Sequence, residues 1–149
     1  MVIQRIQSVY LLIAVILMAV FAFFPALSFE IGGREFVYGA LATGKVGVTH
    51  IDPLMLMLIV LISLLAFIDI FLYKNLQRQM TVCFIDIIIG LAMLVAIGIQ
   101  VFVIGGKEGV TMTWQWYLIL PVLSIIFLMM AHKSMSNDKR TLRDSDRLR

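Results

Sequence analysis

Charge is scarce in this sequence. Asp, Glu, Lys and Arg together make up 14% of its 149 residues, where a soluble domain carries about 25%. With 62% hydrophobic residues and a mean hydropathy of +1.03, that scarcity excludes an ordinary soluble chain. One cysteine, Cys83, excludes an internal disulfide. It lies near the start of an apolar run and reads as a small apolar filler. There is no HExxH, no CxxC, no phosphate-cradling glycine loop and no Ser/His/Asp set at one depth. The chain is therefore expected not to be an enzyme and to need no cofactor. The net charge of +3 would hint at nucleic acid in a soluble protein. Here the basic residues sit beside apolar runs, which points to membrane topology and lipid contact instead, with no nucleic-acid partner.

Those runs organise the chain. Ser8 to Leu27 has no charge, Leu54 to Tyr73 has only Asp69, and Thr81 to Ile104 has only Asp86. A fourth run spans about 112–131. Some 20 apolar residues at about 1.5 Å each cross a hydrocarbon core of about 30 Å. The expectation is an all-α membrane protein, a four-transmembrane-helix bundle. It would form a single integral membrane domain over 1–149, with spans near 8–27, 54–73, 81–104 and 112–131 and a tail over 132–149. Ala26-Leu27-Ser28 has the look of a signal-peptidase site, but a signal peptide's apolar core is only about 7–15 residues long, so an uncleaved first helix is favoured.

The first connection, Phe29 to Asp52, contains Phe29-Glu30-Ile31 and Arg34-Glu35-Phe36-Val37-Tyr38 on either side of Gly32-Gly33. That is a two-residue β-hairpin signal, here extracytoplasmic. Val46-Gly47-Val48-Thr49 is a candidate third strand, with a loop as the alternative. His50 and Asp52 lack the partners of a metal site, and no metal is expected. Asp52 reads as the cap of the second helix, with Pro53 in its first turn. Trp114, Trp116 and Tyr117 read as an interfacial aromatic belt, and Pro121 as a kink.

Basic residues set the orientation. Arg5, Lys74, Arg78, Lys133, Lys139, Arg140, Arg143, Arg147 and Arg149 fall on one side; Arg34, Lys45 and Lys107 fall on the other. By the positive-inside rule both termini are cytoplasmic. His50 and His132 then lie at opposite faces. Helix contacts must come from close packing and polar groups, because lipid is as apolar as leucine. The small-residue spacing of Ala92 and Ala96 makes them the expected point of close approach, and Gln100 is expected to seek an interhelical partner.

Asp69 and Asp86 lie close to the connector from either side, roughly 6–8 Å inside the same face. Three readings compete. The acids pair with Arg5, Lys74, Arg78, His132 or Lys133; they share a proton or an ion; or they stay solvated. In the tail, acids and bases alternate, with Arg140 and Asp144 at i, i+4 spacing if the segment is helical.

Three segments carry a resemblance. Ile3-Gln4-Arg5-Ile6-Gln7-Ser8-Val9-Tyr10-Leu11-Leu12 opens the chain, Phe71-Leu72-Tyr73-Lys74-Asn75 with Gln77 or Gln79 makes the connector, and Leu142-Arg143-Asp144-Ser145-Asp146-Arg147-Leu148-Arg149 closes it. Together they resemble, over the whole chain, the bacterial membrane family called domain of unknown function forty-two ninety-three. Leu76 departs from a connector that tends to be basic, and Asp144 replaces a serine. The resemblance implies a four-span inner-membrane protein with no established activity. Its signature groups suggest a cytoplasmic-face polar cluster of Gln4, Arg5, Gln7, Asn75, Asp146, Arg147 and Arg149, with Asp69 and Asp86 beneath it. The functional expectation is a non-enzymatic accessory or scaffold protein in contact with the bilayer and with a membrane or cytoplasmic protein partner. The alternative is a small proton- or ion-linked transport component using Asp69 and Asp86, against which four spans are few.

Overall fold

The structure, a computed structural model, describes residues 2–41, 48–113 and 115–147, with the backbone alone for 2–5, 48–50, 146 and 147. Four helices dominate: α1 (Val2–Phe23), α2 (Pro53–Phe71), α3 (Leu76–Gly105) and α4 (Ile119–Arg147). All four are long and apolar enough to cross a membrane. α1 packs on α2 and α4, and α3 packs on the same two, so the helices close into an antiparallel ring. Both outer helices start or finish at one end, called here the terminus end.

Each helix turns one stripe inward. On α1 it is Leu11, Ala14, Met18 and Phe21; on α2 it is Met55, Ile59, Ile62, Ala66 and Asp69. On α3 it is Gln79, Cys83, Asp86, Gly90, Met93 and Ile97, and on α4 it is Ser124, Leu128, Ala131 and Met135. The alternating steps of three and four are the seam of antiparallel bundle packing. Large apolar residues stay exposed on the other faces, Val60, Leu64, Val95 and Ile99 among them. Lipid, not water, suits such faces.

Two helices approach closely at Gly90. A Cβ placed there would lie 2.9 Å from Cγ1 of Ile125 on α4. Ala92 is the contact expected from spacing, but it falls off the buried stripe and is exposed, while Ala96 is half-buried. Helical phase decides this, and small-residue spacing alone does not report phase.

Opposite the terminus end lies a four-stranded sheet of β1 (Leu27–Ile31), β2 (Arg34–Gly39), β3 (Val48–Ile51) and β4 (Val110–Thr113), in the order β3-β2-β1-β4. The expected hairpin is β1–β2, pairing Leu27 with Tyr38 through to Ile31 with Arg34. Gly32 and Gly33 take φ of +59° and +78°, the two positive values a type I′ turn demands. β3 adds in parallel to β2; Val46 and Gly47 lie outside the described residues. β4 comes from the second connection and pairs antiparallel with β1, so both connections share one sheet.

Several boundaries differ from expectation for local reasons. α1 stops at Phe23, because Pro25 disfavours helix at Phe24, and Leu27 is already in a strand. α3 begins at Leu76, since Gln77, Arg78 and Gln79 are good helix formers outside the lipid span as well as in it. Residues 112 and 113 belong to β4. α4 starts at Ile119, so Pro121 sits in its first turn and needs no kink. That helix runs on through the expected tail to Arg147 with no Pro or Gly to stop it. Tyr117 stacks on Phe24 with ring centroids 4.4 Å apart, and Trp116 lies 6.3 Å from the same ring. Trp114 is outside the described residues.

Asp52 caps α2 as expected: its carboxylate accepts from the Leu54 N–H at 3.0 Å. It also accepts the Tyr38 hydroxyl. Gln100 faces the same corner, a cavity of about 20 Å³ lined also by Tyr38, Asp52 and Ala96, with room for one water. Burial, then the bond to Asp52 and its charge, push the Tyr38 phenol well above its ordinary value.

Two outcomes follow. Gly90→Val should destabilise the detergent-solubilised bundle by about 1–3 kcal/mol in thermal unfolding through overpacking against Ile125, while Gly98→Ala, in open space, should change little. Tyr38→Phe should cost about 1 kcal/mol. The fold favours the neutral phenol, so the wild-type advantage should be full below about pH 10, the unfolded phenol's value, and shrink as pH rises past it.

Candidate functional site

The polar interior lies at the terminus end. Asp69 is in the last turn of α2 and Asp86 in the third turn of α3, and both occupy core-stripe positions. Each is 0% exposed. None of their four carboxylate oxygens has a hydrogen-bond partner among the described residues. Cys83 and Asp86 share the inward stripe of α3, which packs on α2, whose own buried stripe ends at Asp69.

The neighbouring polar groups are committed elsewhere. Gln79, buried on α3, donates from Nε2 to the backbone carbonyl of Asp69 at 3.1 Å and not to its carboxylate. The Cys83 thiol donates to the Leu128 carbonyl at 3.4 Å, joining α3 to α4. Gln7, buried on α1, donates to the carboxylate of Asp138 on α4. Among the described residues no group of three or more His, Cys, Asp or Glu is placed to hold a metal ion.

Among the described residues, none of the expected cation partners reaches the acids. Lys74, Arg78 and Lys133 are exposed. His132 is half-buried with its ring 6.0 Å from that of Phe84. Position in the sequence puts these cations at the right depth, but the acids sit on the inward stripe. Arg78, one residue from buried Gln79, turns outward. The side chain of Arg5 lies outside what is described.

The expected polar cluster divides accordingly. Asp69 and Asp86 come together in the interior, and Gln7 joins Asp138. Asn75 is exposed at the α2–α3 turn, where its backbone N–H bonds the Leu72 carbonyl at 2.9 Å and its side chain caps nothing. Gln4 and Arg5 lie on α1, and Asp146 and Arg147 on α4, with side chains outside the described set; Arg149 is outside it altogether. The sequence reading misses Gln79, Cys83 and Asp138 as parts of this layer. Gln79, Cys83 and Asp86 fall at i, i+4 and i+7, a spacing that places them on one face.

Residues 3–148 match the family described as "Domain of unknown function (DUF4293)". The chain belongs to that family. The DUF4293 match covers all four helices and the sheet, so the fold above is that of the family domain and not of an appendage to it. No curated protein matches the chain.

The Gln7–Asp138 bond ties the first helix to the last where both leave the bundle. A double-mutant cycle with Gln7→Leu and Asp138→Leu should return a coupling of about 1–3 kcal/mol in detergent unfolding, as expected for a bond to a charged group. A coupling near zero would mean that Gln7 contributes by packing alone.

Proposed function

We propose that this protein is a non-enzymatic accessory or scaffold protein of the bacterial inner membrane, with both termini in the cytoplasm. The supporting observation is the far end of α4. At about 1.5 Å per residue its 29 residues extend about 43 Å, well beyond a hydrocarbon core of about 30 Å. The helix stays anchored to the bundle through buried Met135 and the Asp138 contact with Gln7. From Lys139 to Ser145 the helix is exposed almost throughout, Leu142 at 60%. A helix that is polar nearly all round is held by charge pairs along itself or bridges to another body, and the bridge to another protein is what the accessory reading takes up. Its charges of both signs, Lys139, Arg140, Arg143 and Asp144, favour a partner that pairs with them over a bare anionic lipid surface.

Orientation rests on the nine-to-three division of basic residues between the two ends. A second reading, a small proton- or ion-linked transport component using Asp69 and Asp86, draws support from their unpartnered oxygens.

A fluorescent reporter fused after Arg149 should light up in the cytoplasm, and an alkaline phosphatase fusion at the same point should stay inactive. A photo-crosslinking residue at Leu142 should give a discrete protein adduct in native membranes, while one at lipid-facing Leu91 gives none. The adduct should disappear when Lys139, Arg140 and Arg143 are changed to Glu. Equal crosslinking from both positions would count against the accessory reading.

A further inference from the structure

We propose that Asp69 and Asp86 form a proton-binding pair that exchanges with the solution at the terminus end only, binding protons without passing them across the bundle. The inference rests on the second reading for the pair being a site, and it removes passage from that reading.

The starting point is the mismatch between burial and partnership. Two fully buried acids with four unpartnered oxygens carry a large desolvation cost as bare carboxylates, and either a proton or a cation relieves it. The surroundings choose between these. A hard metal ion takes six or more oxygens, or keeps several waters. Around this pair the Gln79 amide N–H is given to the Asp69 carbonyl, the Cys83 thiol to the Leu128 carbonyl, and the adjoining stripe positions are Ala66, Ile87 and Gly90. A proton needs only a carboxylate oxygen.

The other titratable and charged groups on the packed elements are accounted for among the described side chains. On α4, Asp138 accepts from Gln7, His132 lies against Phe84, and Lys133, Lys139, Arg140, Arg143 and Asp144 are exposed. On α1, the Tyr10 ring lies 6.2 Å from that of Phe127. Lys74 beyond α2 and Arg78 on α3 are exposed. None of them supplies a counter-charge to the pair.

Access is one-sided. Toward the terminus end, Asp69 is two residues from the end of α2, and the next buried layer holds Gln79 and Gln7. Toward the sheet, the buried stripe continues through Ile62, Ile59, Met93, Ile97, Met18 and Phe21. The buried polar group on that side of the helical core, Ser124, spends its hydroxyl on the Ala14 carbonyl at 3.2 Å. The water-sized cavity of Tyr38, Asp52 and Gln100 begins only at Met93 and Ile97, and between it and the pair Ser124 is the one fully buried polar side chain among the described residues.

The test uses the full chain in sealed membrane vesicles of one orientation, with the pH on each side set separately. N,N′-dicyclohexylcarbodiimide, which adds to protonated carboxyl groups within lipid, is the probe, and peptide mass spectrometry reads the adduct. The expected result is an adduct on Asp69 or Asp86 that falls about tenfold for each pH unit above its midpoint as the terminus-side solution is made alkaline. It should not respond to pH on the sheet side. Proton flux into liposomes holding the protein should equal that with the Asp69→Asn/Asp86→Asn variant. Absence of any adduct across the pH range would overturn the site itself, and the second reading with it. Dependence on sheet-side pH, or flux that the double variant abolishes, would overturn one-sided binding while leaving the transport reading standing. Protection by sodium or potassium at constant pH would replace the proton with a metal cation.

Discussion

Everything in this fold answers to the absence of water in hydrocarbon. A backbone N–H or C=O in lipid must be satisfied by the chain itself, which confines the spans to helices. It also confines the sheet, with its open edges, to the outside. The same absence removes the usual force for packing helices together, because an apolar side chain gains little by leaving lipid for a neighbour. Shape and polar contacts have to do that work. Here they are few and identifiable: Ile125 seated over Gly90, Ser124 bonded to Ala14, Cys83 to Leu128, Gln79 to Asp69. In each of the three bonds a side chain gives its donor to a backbone carbonyl. None of these donors is left pointing at lipid, and each bond joins two different helices.

The two ends of the bundle are closed in different ways. At one end, β4 pairs with β1, so the connection after α3 is bonded to the connection after α1. The Gln115 amide adds a bond to the Ser28 hydroxyl at 3.1 Å across the same seam. The sheet thus holds the two helical hairpins together at that end. At the other, α2 and α3 are joined by a single 3₁₀ turn and Asn75, while α1 and α4 are joined by Gln7 and Asp138. An end stapled by backbone pairing therefore faces an end held by side chains, and the two acids lie nearer the second. This asymmetry makes a one-sided site geometrically natural.

The spans, the Gly32-Gly33 hairpin and the Asp52–Pro53 helix start are legible in the sequence, because each has a local cause: length, a turn that needs positive φ, a cap. The inward stripes are not. A helix such as α2, apolar on every face, has no periodic contrast to follow, and on α3 the spacing makes Ala92 look as good a contact as Gly90. Nor is β4 legible, because its partner β1 lies far earlier in the chain; Val110–Thr113 is a strand only because β1 is there. That Asp69 and Asp86 fall toward the connector end of their helices can be read from the sequence. Their lack of partners cannot, since cations at the right depth still have to point the right way. In the sequence Asp138 is one charge among the tail's alternating set, and its bond to Gln7 depends on α4 continuing unbroken past the lipid.

The acids are hard to explain as architecture. An aspartate in lipid carries an insertion cost of about 2.5–3.5 kcal/mol at a helix centre, falling toward the interface. An ion pair can recover part of such a cost, and removing one partner of a buried pair leaves a heavy penalty. Asp69 and Asp86 have no such partner among the described residues, and a leucine at either stripe position would fill the seam without any penalty of charge. Two acids that weaken the bundle, yet lie in the last turn of α2 and the third turn of α3, nearer the terminus end than the sheet, combine a high cost for bare charge with a short route to water. That combination suits a group whose occupancy is meant to change. A purely structural acid would be paired, and one meant to stay charged would be exposed.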